Sequence, residues 1–133
     1  SYAESVGQQK YDEYLQQLGA IVPELQSLGV DMARIYTPNV EEDLWKRYYS
    51  GDRGAFIRHL SRAIDKNQVR KMTELFTENA EFREYVSRYI AEFDGVLARA
   101  QGNERADVLT GVLLGSEAGR LYMILSRVFN KEA

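Results

Sequence analysis

The sequence predicts an all-α fold, a compact bundle of five to seven helices, on three observations. Apolar residues recur at three- and four-residue steps along most of the chain, and nowhere in the two-residue alternation of a strand. Only two prolines interrupt the 133 residues. A hydrophobic share of 44% against 28% charged supplies a core and is too apolar for a disordered chain. Residues 1–133 read as a single helical domain. The start at Ser1-Tyr2, without a methionine, points to a piece of a longer protein.

The first element carries the clearest period. Tyr11, Tyr14, Leu18, Ile21, Leu25, Leu28, Met32 and Ile35 fill successive a and d places of a heptad pattern, the spacing of helices packed side by side. Pro23 removes a backbone donor and crowds the carbonyl of Gly19, and Gly29 followed by Asp31 reads as a stop and a new cap. The prediction is a helix over about 3–28, kinked around 19–23, then a short one over 31–36. An upstream coiled coil would continue naturally into it.

Thr37-Pro38-Asn39 signals a turn, with threonine as cap, proline in the first helical position, and Glu41, Glu42 and Asp43 suited to a helix start. The helix that follows, 39–49, carries Leu44, Trp45, Tyr48 and Tyr49. Ser50-Gly51-Asp52 ends it and caps the next, which presents Phe56, Ile57, Leu60 and Ile64 on one side. The apolar direction then swings to Val69, Met72 and Phe76, so a break falls at 65–67. Asn79 caps a helix with Phe82, Val86, Tyr89, Ile90, Phe93 and Leu97 inward, ending at Gly102.

The last stretch, capped by Asn103, holds Gly111, Gly115 and Gly119 at a strict four-residue spacing. On one helix these would form a bare groove against which a second backbone can press, so they are the candidate helix-contact residues. Each helical glycine costs about 1 kcal/mol relative to alanine. Val108, Leu109, Val112 and Leu113 point one way, and Leu121, Ile124, Leu125, Val128 and Phe129 nearly the other. Opposed stripes fit either one largely buried C-terminal helix, the favoured reading, or two helices broken near Gly115-Ser116 with serine capping the second.

Charge is segregated behind the net −3. Residues 1–33 hold five acids and one base, 53–71 six bases and one acid, 72–94 six acids and two bases. Arg58, Arg62, Lys66 and Arg70 are spaced by four and would form a ridge for an acidic partner, anionic lipid or nucleic acid if their helix ran unbroken. Against that stands a solvated face paired with neighbouring acids, the favoured reading. Trp45, Arg47, Tyr48 and Tyr49 concentrate the residue types of binding hot spots and are the possible interface, although the only tryptophan of a small helical domain more often belongs to its core.

The chain has no cysteine and one histidine, His59. That excludes disulfides, thiolate chemistry and a histidine-rich metal site. No phosphate loop, dinucleotide fingerprint, nucleophile elbow or EF-hand loop appears, so no catalytic residue, metal or cofactor is expected. Nor is specific nucleic-acid recognition expected from an acidic chain without a recognition motif. No apolar run approaches the roughly 18 residues of a membrane span. The expected compartment is the cytoplasm, with the periplasm left open. The function expected is a non-enzymatic protein-interaction or oligomerisation module. An anion-binding module using 53–71 is the alternative, and a small-molecule sensor or enzyme the third reading.

Overall fold

The computed structural model describes residues 1–129, which fold into seven α-helices with no strand among the described residues. They are α1 (Tyr2–Tyr36), α2 (Glu42–Tyr49), α3 (Ala55–Ala63), α4 (Val69–Glu78), α5 (Ala80–Ala100), α6 (Ala106–Gly115) and α7 (Glu117–Phe129), with a 3-10 turn at Lys66–Gln68 before α4. The fold is the compact all-α one that the apolar periods require. No single described helix is long and apolar enough to cross a membrane.

α1 does not stop at Gly29. It runs unbroken through Pro23 and Gly29 as one helix of 35 residues. Pro23 is exposed, and nothing lies within 4 Å of a β-carbon built on Gly19, so the crowding there falls on the solvent side. An interior proline costs about 3 kcal/mol. Burial downstream offsets it, for Leu25, Leu28, Val30, Met32, Ala33 and Tyr36 all enter the core. Gly29 itself is buried where α3 crosses, with a built β-carbon 2.7 Å from Ile57 Cγ1.

Two apolar clusters hold the helices. The larger joins the second half of α1 to Phe56, Ile57 and Leu60 of α3, Met72 of α4, Phe82, Val86, Tyr89, Ile90 and Phe93 of α5, and Leu121 and Leu125 of α7. The smaller gathers Tyr14, Val96, Ala100 and Leu109, with Tyr11 and Leu18 half-buried against it. Buried phenols are satisfied in place. Tyr14 Oη donates to the Val96 carbonyl (3.2 Å) and Tyr89 Oη to the Ala118 carbonyl (2.7 Å). Burial pushes the Tyr89 hydroxyl well above the ordinary phenol range.

Helix starts follow the local signals unevenly. Asn79 caps α5 as expected, its side chain accepting from Phe82 N at 2.9 Å. Asn103 does not cap α6; its amide reaches back to the Arg99 carbonyl (3.4 Å), and α6 begins after Arg105 without a side-chain cap. Thr37 does not cap α2 either, which starts three residues later than the turn signal implies. Asp52 pairs with Arg58 in place of capping α3, while Gly51 takes the turn with φ of 118°.

The C-terminal segment is two helices. α6 and α7 meet at an angle of 82°, and the hinge is Ser116. Its hydroxyl donates to the Leu113 carbonyl (2.6 Å) and accepts from Gly119 N (3.0 Å), closing one helix and capping the other. The single, largely buried helix favoured from the sequence is therefore corrected in favour of the broken one.

Candidate interaction surfaces

The break divides the three glycines. Gly119 is buried, and a β-carbon there would overlap the Leu113 carbonyl and lie 2.7 Å from Leu114 Cα. The close contact it permits is the fold of α7 back on the end of α6. Gly111 and Gly115 are exposed, with nothing within 4 Å of a β-carbon at either. Among the described residues no element lies in a groove on them, so the three glycines do not share one helix contact within the chain.

What those two glycines occupy is an open apolar face. α6, with sequence ADVLTGVLLG, has one charged residue, Asp107, and only Leu109 buried. Val108 and Val112 remain 66% and 67% exposed. At 100° per residue, Val108, Gly111, Val112 and Gly115 share the side of α6 turned from Leu109 and Leu113. The sequence places the two valines in one inward stripe with those leucines. The helix buries only half of that stripe, because α1 and α5 reach it through Leu109 and Leu113 alone.

The second surface is the corner of α2 and α3. Trp45 is half-buried, its ring 4.7 Å from that of Phe56, and Tyr48 lies 5.6 Å from the same ring with the Arg53 guanidinium 4.5 Å above it. These two residues anchor α2 to the core. Tyr49 stacks on the outer side of Trp45 at 5.7 Å and is 71% exposed. Arg47 lies on the other side of α2 and pairs with Asp43 at 3.3 Å.

The basic segment does not form one ridge. Ile64 and Asp65 leave the helical path, so Arg58 and Arg62 belong to α3 and Arg70 to α4, while the Lys66 side chain lies outside the described residues. Arg58 is bridged to Asp52, Arg62 stands 3.8 Å from Glu117, and Arg70 pairs with Glu74 at 3.3 Å. The fold instead brings Arg58 and Arg62 opposite Arg47. With Glu41, Asp43, Leu44, Ala55, His59 and Ala63 they line a cleft of about 370 Å³ between α2 and α3. No spacing in the sequence announces that grouping, since the turn at 50–54 creates it.

His59 Nε2 sits 3.3 Å from Thr37 Oγ1, across from the end of α1. Among the described residues no group of three or more His, Asp or Glu is placed to hold a metal ion. Compared with protein-family models, curated proteins and solved structures, the chain matches none.

Proposed function

We propose that the chain is a non-enzymatic helical interaction module that associates with a second copy of itself through the open face of α6. The observation that carries this reading is the exposure of Val108 and Val112 on the most apolar helix of the fold. Scattered surface apolar residues need no explanation, but a face free of charge along a whole helix marks a contact site.

The face is also self-complementary. Residues 108, 111, 112 and 115 are symmetric about the point between Gly111 and Val112. Two antiparallel copies related by a two-fold axis there set each Val108 beside the other copy's Gly115, and each Val112 beside its Gly111. Side chains then meet bare backbone at every step, the self-matching patch a two-fold dimer requires. Val108 and Val112 are already one third buried, so covering the rest of four valines is worth roughly 4–8 kcal/mol, at about 1.5–3 kcal/mol for each full burial. Association costs about 4–15 kcal/mol, so the dimer is weak and populated only at high protein concentration.

Light scattering across a concentration series tests it, with Val112→Glu alongside. The native chain should shift from monomer towards dimer as concentration rises, and the variant should stay monomeric with an unchanged circular dichroism spectrum. A native chain that is monomeric throughout overturns the reading, and so does a dimer that the glutamate leaves intact.

A further inference from the structure

We infer that the cleft between α2 and α3 binds a phosphorylated amine, with the phosphate among Arg47, Arg58 and Arg62 and the ammonium towards Glu41 and Asp43. This goes beyond self-association and does not depend on it, since no α6 residue lines the cleft.

The two walls differ in sign. The α3 wall presents Arg58, His59 and Arg62, and α3 contains no carboxylate from Ala55 to Ala63. The α2 wall presents Glu41 and Asp43 at its start and Arg47 further on. Buried Ala55 and half-buried Ala63 and Leu44 form the floor, and the two alanines leave depth that longer side chains would fill.

The arginines are graded in freedom. Arg58 is anchored by Asp52 and only partly exposed. Arg62 is two-thirds exposed and 3.8 Å from Glu117 Oε1, beyond hydrogen-bond reach. Glu117 is engaged elsewhere, accepting from Ser61 Oγ at 2.7 Å through Oε2 and shared with Arg120 at 3.8 Å. The guanidinium of Arg62 therefore keeps its donors available. Arg47 and Asp43 form an exposed pair of the kind that contributes little, so Arg47 can exchange it for a more highly charged partner.

With Arg58 held by Asp52, Arg47 and Arg62 still ask for more charge and more acceptor oxygens than one carboxylate offers. A phosphate monoester supplies both, and arginine forks match it in pairs of hydrogen bonds. A bare dianion would be opposed by Glu41 and Asp43. A ligand carrying its own ammonium turns that repulsion into attraction. The volume of about 370 Å³ lies near the lower end of small-molecule sites, which suits a headgroup-sized ligand and excludes a nucleotide from full enclosure.

Calorimetric titration of the whole chain with phosphoethanolamine, inorganic phosphate and ethanolamine tests the site. Phosphoethanolamine should bind at least about tenfold more tightly than either part, and Arg62→Ala should weaken it about tenfold through the lost charged hydrogen bonds. Glu41→Gln should cut the preference over phosphate, leaving only what Asp43 supplies, while leaving phosphate binding in place. Both positions are exposed on the surface, and unchanged circular dichroism would confirm that the variants fold. No binding at millimolar ligand overturns the site; so does a preference undiminished by Glu41→Gln, or affinity indifferent to Arg62→Ala. Vesicles containing phosphatidylethanolamine separate the sources. Retention that free phosphoethanolamine competes away marks a lipid headgroup, and binding of the free compound without retention marks a soluble metabolite, each keeping the site. Retention without competition overturns it.

Discussion

Gly29 of α1 and Ile57 of α3 cross so closely that a β-carbon at position 29 would stand 2.7 Å from Ile57 Cγ1. Ile57 is itself buried, so its side chain has no free volume to retreat into. Gly29→Ala should destabilise the fold by about 1–3 kcal/mol, the cost of overpacking, despite alanine's better helix propensity. Ile57→Ala alone should cost about 2–5 kcal/mol as a cavity. Together they should cost clearly less than the sum, because each removes the other's problem. Urea unfolding of the four proteins checks this, and simple additivity would place the contact elsewhere.

Glycines in open and closed settings should respond in opposite directions. Gly119→Ala collides with backbone at Leu113 and Leu114, which cannot turn aside as a side chain can, so it should lower the melting temperature sharply. Gly19→Ala and Gly111→Ala meet nothing within 4 Å and should each stabilise the monomer by up to about 1 kcal/mol. Gly111→Ala should at the same time weaken self-association by filling the notch for Val112. A melting temperature that rises while the dimer fraction falls is the signature to look for.

How far the sequence discloses all this depends on whether the cause is local. The break at 65–67, the start of α5 at Asn79 and the inward set Phe82, Val86, Tyr89, Ile90 and Phe93 are legible because capping groups and periodicity act within a turn or two. The continuity of α1 is not, because what holds Gly29 in a helix is Ile57, 28 residues further on. The exposed face of α6 is hidden for a different reason. Periodicity reports that one side of a helix is apolar, not whether anything covers it, and Val112 and Leu113 read alike until the neighbours are placed. The α2–α3 cleft joins Arg47 from one candidate group to Arg58 and Arg62 from another. No pattern within either helix contains that relation.

Asn79 offers a test of the most local kind. Its side chain accepts from Phe82 N at 2.9 Å, an amide in the first turn of a helix that buries seven residues. Asn79→Ala leaves that amide without its partner and should cost about 1 kcal/mol, whereas Asn79→Asp or Asn79→Ser should cost little. Thermal melts of the three variants at neutral pH would check the ranking. A uniform loss would mean that packing at the α4–α5 corner matters more than the cap.

Glu92 gives the chain a pH dependence whose sign can be worked out. It is half-buried on α5, and that burial raises its pKa above the ordinary carboxylate value. The Glu24 carboxylate on α1, by charge and by hydrogen bonding, adds to the rise; Arg88 and Arg99 act in the other direction. The folded chain therefore holds this proton to a higher pH than the unfolded chain does. Between the ordinary and the raised value the folded state binds more protons, so this group's contribution to stability is full below that window and is lost as pH climbs through it. Glu92→Gln cannot lose a proton and should raise the melting temperature near pH 7 while changing it little below about pH 4, where both proteins are neutral at this position. Glu24→Gln should produce a smaller shift of the same sign, since it removes the neighbouring carboxylate and leaves the burial. Melting curves collected across the acid range for all three proteins would decide it. Parallel profiles for the native chain and Glu92→Gln would assign the pH dependence to other carboxylates.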